Sequence, residues 1–440
     1  MKDKRKALQA GIAAQAGGEF TFDYPPNLVR ITTGSSYQGN EAAFGEAGII
    51  SNGGTTSGQR YYFWDTAGDL DWSRVLTGLN HSGQQYFAEY DGQYYGTTPS
   101  NNQSSIWAFQ ADGTPDWGKY LEHETATDDI YIENLSVDAG PAGFGYIGPG
   151  DHSGNNDWYM VTLWEPDGTL AFQVKLNWSG PSINGGYAIE VTDDAVYVAM
   201  KTYGTAKSIT VVKLDLTGAI VWKKDYTYSS GGSSNPSFEG DISVYNGNLY
   251  VAANRNVADG MVCMLKIACS DGTLQYSRSF TSTNGISTGG YGWTKPRIDV
   301  GEAGIFYADK WYDNVGSNGR GVTVALFDEA MTTVEFIKDL VRPSNDVYQI
   351  GGVVKIWNNG CGLIVDRGVA LNAEKALITS DFEGGCAAFS TSICASGQAF
   401  AADVFTTANS SIAVTAQTPT VTADTATFNT AAEPTVGTTW

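Results

Sequence analysis

A glycine followed four residues later by an aromatic recurs through most of this chain: Gly68 and Trp72, Gly113 and Trp117, Gly168 and Phe172, Gly218 and Trp222, Gly272 and Tyr276. Successive glycines are 45, 55, 50 and 54 residues apart. Self-similarity at such a period marks a repeat architecture, in which each unit buries its face only against its neighbours. Around Gly218 the unit is laid out in full. AIEV at 188–191, VYVA at 196–199, ITVVKL at 209–214 and AIVWKK at 219–224 are short β-branched and aromatic runs separated by turn formers, the pattern of four successive antiparallel strands. Glycine admits the positive φ of a tight hairpin, and an aromatic on the outer strand has the bulk to fill the wedge between adjoining sheets. A looser copy lies at 321–338, where Ala330 replaces the glycine and Phe336 comes two residues late.

The inner hairpin can be counted separately by its second strand. Members lie near Gly48-Ile49-Ile50, Tyr94-Tyr95-Gly96, Tyr146-Ile147-Gly148, Val196-Tyr197-Val198, Leu249-Tyr250-Val251, Ile305-Phe306-Tyr307 and Gly362-Leu363-Ile364. Radial repetition of four-stranded sheets protects strand edges by packing each sheet on the next. The expected fold is therefore all-β, a β-propeller of seven four-stranded blades, with six as the alternative count and an open solenoid as the competing architecture. The seventh unit has a third strand at Lys375–Thr379 but no fourth with the glycine and aromatic. The segment FTFDYPPNLVRI, 20–31, precedes the first unit and is strand-like, so it is expected to complete the last blade. Residues 1–18 form an N-terminal arm or short helix, 19–385 the propeller, and 386–440 an extended C-terminal tail.

Composition narrows the partners. Lys plus Arg number 26 against 47 Asp plus Glu, a net charge of −21, which argues against sequence-specific nucleic-acid binding. No run approaches the roughly 18 apolar residues of a membrane helix. The start, MKDKRKALQAGIAAQAGG, imitates a leader, but Gln9, Gly11 and Gln15 interrupt its apolar part. The five cysteines, 263, 269, 361, 386 and 394, are odd in number and lack metal-ligand spacing, so buried thiols are expected. Past Lys375 there is no Lys or Arg, and from about 405 Thr, Ala, Ser and Val predominate. Such a tail favours extended chain yet cannot build a core of its own. It is expected to be flexible alone, or ordered by adding strands to another subunit.

Catalytic patterns are scarce. His81, His123 and His152 sit in polar stretches with no nucleophile elbow, and no glycine pattern opens a helix after a strand as a phosphate loop would. Asp151 to Asp157 alternates oxygen ligands like a calcium loop but lacks its glycine and its final glutamate, so an ordinary loop is expected. Asp128-Asp129 and Asp193-Asp194 read as solvated turn residues. Trp178, Tyr203, Trp293, Trp311 and Tyr312 lie near strand connections and are candidate contacts for a glycan or a partner, with packing between blades as the alternative. No catalytic, cofactor-binding or metal-binding residue is expected, and the chain is read as non-enzymatic.

The unit 190–224, with its Val-Tyr-Val strand, Lys-Leu-Asp strand end and Gly-x-x-x-Trp, resembles the repeats of quinoprotein-like β-propellers. In enzymes of that family the resemblance implies a quinone, a calcium ion and often an adjacent-cysteine disulfide, and this chain has no adjacent cysteines. The glycine- and tyrosine-rich repeats, the amino terminus and the Thr/Ala/Ser tail are also similar in style to tail or fibre structural proteins of marine bacteriophages. That likeness implies a virion component, a homo-oligomer joined to other virion proteins through 1–18 and 386–440, acting in assembly, DNA exit or attachment to a host surface glycan or receptor. A propeller enzyme acting on carbohydrate or a quinone-dependent substrate, and a bacterial surface adhesin or scaffold, are the alternatives.

Overall fold

The computed structural model describes residues 28–32, 42–45, 47–55, 58–65, 69–77, 85–100, 103–122, 135–152, 155–177, 186–202, 208–228, 236–255, 261–281, 296–312, 320–340, 347–357, 360–369, 372–380, 399–402, 405–409, 413–416, 420–423 and 427–430. After an isolated strand, β1 (Leu28–Thr32), the chain lays down sheets of four consecutive antiparallel strands. The first is β2 (Ala43–Gly45), β3 (Gly48–Thr55), β4 (Gly58–Trp64) and β5 (Leu70–Thr77). The second is β6 (Tyr86–Tyr90), β7 (Gln93–Ser100), β8 (Gln103–Gln110) and β9 (Pro115–Glu122). The third is β10 (Ser136–Gly140), β11 (Gly143–His152), β12 (Asn155–Trp164) and β13 (Leu170–Asn177). Then come β14 (Tyr187–Val191), β15 (Ala195–Thr202), β16 (Ser208–Asp215) and β17 (Ile220–Tyr228). The fifth sheet is β18 (Pro236–Tyr245), β19 (Asn248–Arg255), β20 (Met261–Ala268) and β21 (Leu274–Thr281). The sixth is β22 (Arg297–Gly301), β23 (Gly304–Tyr312), β24 (Arg320–Phe327) and β25 (Val334–Leu340).

The last sheet is composite. β26 (Val347–Trp357), β27 (Gly360–Val369) and β28 (Asn372–Ser380) are completed by β1, which runs antiparallel to β28 with Val29 opposite Leu377. The expected closure by 20–31 thus falls on its carboxyl end and the residue after it. First strands pack in succession from β2 through β6, β10, β14, β18 and β22 to β26, and β26 packs on β2. The sheets therefore form a ring, an all-β propeller without a helix among the described residues. Among the described residues blades of four consecutive strands number six, the alternative count, and not seven; the seventh inner hairpin belongs to the composite sheet.

Local sequence explains the turns. Asp91-Gly92 and Asn246-Gly247 both have positive φ at each residue, the geometry of the tightest hairpins. In the turns between third and fourth strands Gly113, Gly168, Gly218 and Gly272 lie at φ of 72–83°. Gly68 lies outside the described residues. In the sixth sheet the positive φ falls on Met331, at 52°, and not on Ala330. Phe336 nevertheless sits opposite Leu326, just as Trp222 sits opposite Lys213. The extra residue lengthens the turn without moving the aromatic in the ladder.

That aromatic locks one blade to the next. A β-carbon on Gly113 would meet the Trp72 ring at 2.7 Å, one on Gly168 the Trp117 ring, one on Gly218 Phe172, and one on Gly272 Trp222. Each ring therefore lies on the turn glycine of the following sheet. Where the ring has a polar handle, it donates to a carbonyl of that same turn: Trp72 Nε1 to Ala111, Trp117 Nε1 to Pro166, Trp222 Nε1 to Cys269 and the Tyr276 hydroxyl to Glu329. The hydrophobic core is accordingly spread between sheets; one cluster joins Val174 and Leu176 of the third sheet to Val196 and Val198 of the fourth. Cys263, Cys269 and Cys361 are buried thiols within these layers, and Cys386 and Cys394 lie outside the described residues.

The C-terminal segment is not a separate layer. Its strands β29 (Ala399–Ala402), β30 (Phe405–Asn409), β31 (Ala413–Ala416), β32 (Thr420–Ala423) and β33 (Thr427–Thr430) pair antiparallel with β21, β17, β13, β9 and β5 in turn. It runs backwards round the rim, adding a fifth strand to five sheets of its own chain.

Candidate functional site

The strands nearest the axis carry a common polar position. Asp138, Glu190, Ser243, Asp299 and Lys355 stand opposite Gly145, Tyr197, Tyr250, Phe306 and Gly362 in their hairpins, each flanked by apolar neighbours such as Ile189 and Val191. In the first and second sheets the same position holds Ala43 and Ala88, and the polar role passes to Glu89.

Each polar side chain reaches to the next blade. Asp138 Oδ2 accepts from Val191 N–H at 2.7 Å, Glu190 Oε1 from Val244 N–H at 3.1 Å, Ser243 Oγ from Val300 N–H at 3.3 Å and Asp299 Oδ2 from Ile356 N–H at 2.8 Å. Ser243 also donates its hydroxyl to Asp299 Oδ1. Lys355 Nζ reaches across the first sheet to the Glu89 carboxylate and its carbonyl, and the other Glu89 oxygen accepts from Gly92 N–H. Gly45 makes this span possible, since a β-carbon there would fall on the Glu89 carboxyl group. Beside the ring, Asp241 pairs with Arg297 at 3.8 Å.

Electrostatics follow from this crowding. Burial pushes Asp138 up to about 6 against the Val191 and Ala139 N–H groups and Lys355, which pull it down. Glu190 is raised well above its ordinary range by burial and by the neighbouring charges of Asp138, Asp299 and Asp241. Asp299 is raised as well, again chiefly by burial. Burial alone would lower Lys355, but Glu89, Asp299 and Asp138 outweigh it and its pKa is raised. An acid whose folded pKa exceeds its unfolded value stabilises the fold while protonated and loses that contribution as pH climbs from the unfolded to the folded value. Asp138→Asn is therefore expected to remove a fall in stability between about pH 4 and pH 6. It should leave the variant more stable than the parent at pH 8 by at most about 3 kcal/mol. Urea titrations at pH 4, 6 and 8 measure this, and identical pH profiles for the two proteins would contradict it.

The sequence-level candidates lie elsewhere. Trp178, Tyr203 and Trp293 are outside the described residues, as are His81, His123, Asp128 and Asp129. Trp311 and Tyr312 end β23, opposite Gly321 and Arg320. The calcium-like stretch is the end of a β-hairpin, with His152 opposite Asn155. Asp194 caps a turn by accepting from the Thr192 hydroxyl and pairs with Lys213 at 3.3 Å. The axial ring was missed, although a polar residue between two apolar ones recurs in Val-Asp-Ala, Ile-Glu-Val, Ile-Ser-Val, Ile-Asp-Val and Val-Lys-Ile at one point of five successive units.

No protein-family model matches the chain, and no curated protein matches it. Solved structures do. A quinohemoprotein alcohol dehydrogenase from Comamonas testosteroni is 9% identical, with a TM-score of 0.44 over 83% of this chain and 78% of that one. The Dos1 propeller is 10% identical, with a TM-score of 0.43 over 76% and 77%. A subtype N11 neuraminidase-like protein from a flat-faced bat virus is 12% identical, with a TM-score of 0.40 over 73% and 95%. These are likenesses of fold, a β-propeller with quinoprotein-like neighbours. Against the expectation of a non-enzymatic chain, the solved structures of this fold that it resembles include alcohol dehydrogenases.

The ring does not fit the calcium ion that a quinoprotein centre implies. Calcium takes six to eight oxygen ligands, whereas the ring carboxylates are spread one per blade and tied to the neighbouring backbone. Among the described residues no three His, Cys, Asp or Glu side chains are placed to hold a metal.

Proposed function

We propose that the chain is a propeller enzyme acting on carbohydrate, with the axial ring as its acid–base site. One observation carries the reading: carboxylates of consecutive blades occupy one register position on the strands around the axis, with Asp138 and Glu190 on adjoining strands. Glycoside hydrolysis needs one carboxyl group that gives its proton to the departing sugar oxygen, and a carboxylate that takes a proton from the attacking water. Two neighbouring, half-buried acids in one field resist carrying two charges, so one of them keeping its proton near neutrality is favoured. Glu190 is assigned the acid and Asp138 the base. Release of reducing ends from a glycan panel, measured between pH 5 and 7, tests this. Asp138→Asn and Glu190→Gln should each lower kcat by about 100-fold or more while the proteins stay folded. A wild-type protein that cleaves no glycan, or variants as active as the parent, would sink the proposal.

A component of a bacteriophage tail is the second reading, favoured by the girdle of C-terminal strands that ties five sheets together from outside. The charge of −21 would keep DNA phosphate from adhering. In this reading residues 1–18 and the tail face other virion proteins, copies form a homo-oligomer, and the loop aromatics meet a host glycan. Mass spectrometry of purified particles decides it: the chain must copurify with virions.

A further inference from the structure

The outermost strands share a second register position, four residues beyond the aromatic. In the five girdled sheets it holds Leu76, Leu121, Leu176, Tyr226 and Phe280. Opposite these the girdle places Phe428, Val421, Val414, Thr407 and Phe400, one every seven residues. The step between blades is thus written into the tail as a period. In the sixth and composite sheets the same position is Leu340, opposite Val322, and Ile31, opposite Lys375. These two sheets adjoin in the ring, and among the described residues no fifth strand lies on β25 or β1.

We propose that the edges of β25 and β1 take up the C-terminal segment of a second copy of this chain. An exposed edge accepts almost any extended peptide through its backbone; what selects among peptides here is the step. A segment crossing two adjoining blades must present strands seven residues apart joined by two or three residues, and the girdle sequence does so along its whole described length. Its track begins on β21, beside the sixth sheet, and ends on β5, beside the composite sheet. These two edges, without a fifth strand among the described residues, therefore continue an established line of pairing at both ends.

The probe is the synthetic peptide AVTAQTPTVTADTATFNT, residues 413–430, titrated into the full chain and into a version ending at residue 430. Saturable binding near one peptide per chain is expected for both proteins. Leu340→Pro and Ile31→Pro should each weaken it at least tenfold, as should shortening the peptide's period from seven to five residues in the same composition. Absence of binding would overturn the proposal. So would binding seen only after residues 431–440 are removed, which would make the chain's own end the occupant. Binding indifferent to the two prolines would point to displacement of the resident girdle, and binding indifferent to the period would remove the basis of selection.

Discussion

Trp222→Ala is expected to destabilise the fold by about 3–5 kcal/mol, the range for truncating a large buried aromatic, with a loss of cooperativity between the fourth and fifth sheets. The ring is 8% exposed and does three things at once. It lies on Gly272, so closely that a β-carbon there would stand 2.8 Å from Trp222 Cε3. Its Nε1 donates to the Cys269 carbonyl at 2.9 Å, and its ring centroid stands 6.2 Å from that of Tyr197, the two rings tilted at 56°. Removing it opens a void at a blade boundary and strands a buried carbonyl, costs that add. The Cys269 carbonyl also lies 3.4 Å from Lys213 Nζ, which limits the second cost. Trp222→Phe separates the two: it keeps most of the volume and loses only the donor, so about 1–2 kcal/mol is expected. Chemical denaturation of the three proteins measures both. Equal losses for alanine and phenylalanine would mean that the hydrogen bond, and not the wedge, holds the blades together.

This wedge is also the part of the fold that could be read from the sequence. Each described turn glycine has a positive φ and lies under the aromatic of the preceding blade, while the aromatic of its own blade stands four residues further on, so the spacing is a visible mark in the repeats that carry it. The sixth repeat shows how the mark fails. Met331 adopts the positive φ that glycine takes elsewhere and the turn gains a residue, so Ala330 looked like the substituted position. The closing strand was legible for a similar reason: a seventh hairpin without a fourth strand needed one, and β1 stood unclaimed at the other end of the chain. That borrowed strand is also why blades of four consecutive strands stop at six.

The axial ring and the girdle left weaker traces. Asp138, Glu190 and Asp299 each look like the polar face of an ordinary alternating strand, because alternation says which side a residue points to but not that one side converges on an axis. Only closure of the ring brings acids some fifty residues apart into one field. The girdle hides differently. Its strands pair through the backbone, so their side chains are free to be Thr, Ala and Ser, and the seven-residue recurrence of Phe400, Thr407, Val414, Val421 and Phe428 is diluted by the threonine in its midst. Composition suggested an extended segment in need of partner strands, and those strands turned out to belong to the same chain.

The ring's single lysine should prove the most sensitive polar residue of the molecule. Lys355→Met leaves the Glu89 carboxylate, in a residue 8% exposed, with the Gly92 N–H but no cation. Breaking one partner of a buried pair in this way costs about 3–5 kcal/mol. The same change withdraws the positive charge that now pulls Asp138 and Asp299 down, so the window in which stability falls with pH should move upward from about 6. The penalty should also shrink toward pH 4, where Asp138, pushed up to about 6 by burial, is protonated and no longer draws on the cation. A structural role without electrostatics would give a loss independent of pH. The double variant Lys355→Met with Glu89→Met discriminates further, because an apolar pair of similar volume restores what one unpaired charge destroys. If the double variant were as unstable as the single one, the cost would come from lost packing of the lysine stem, and the ring would be held by backbone hydrogen bonds between blades rather than by its one cation.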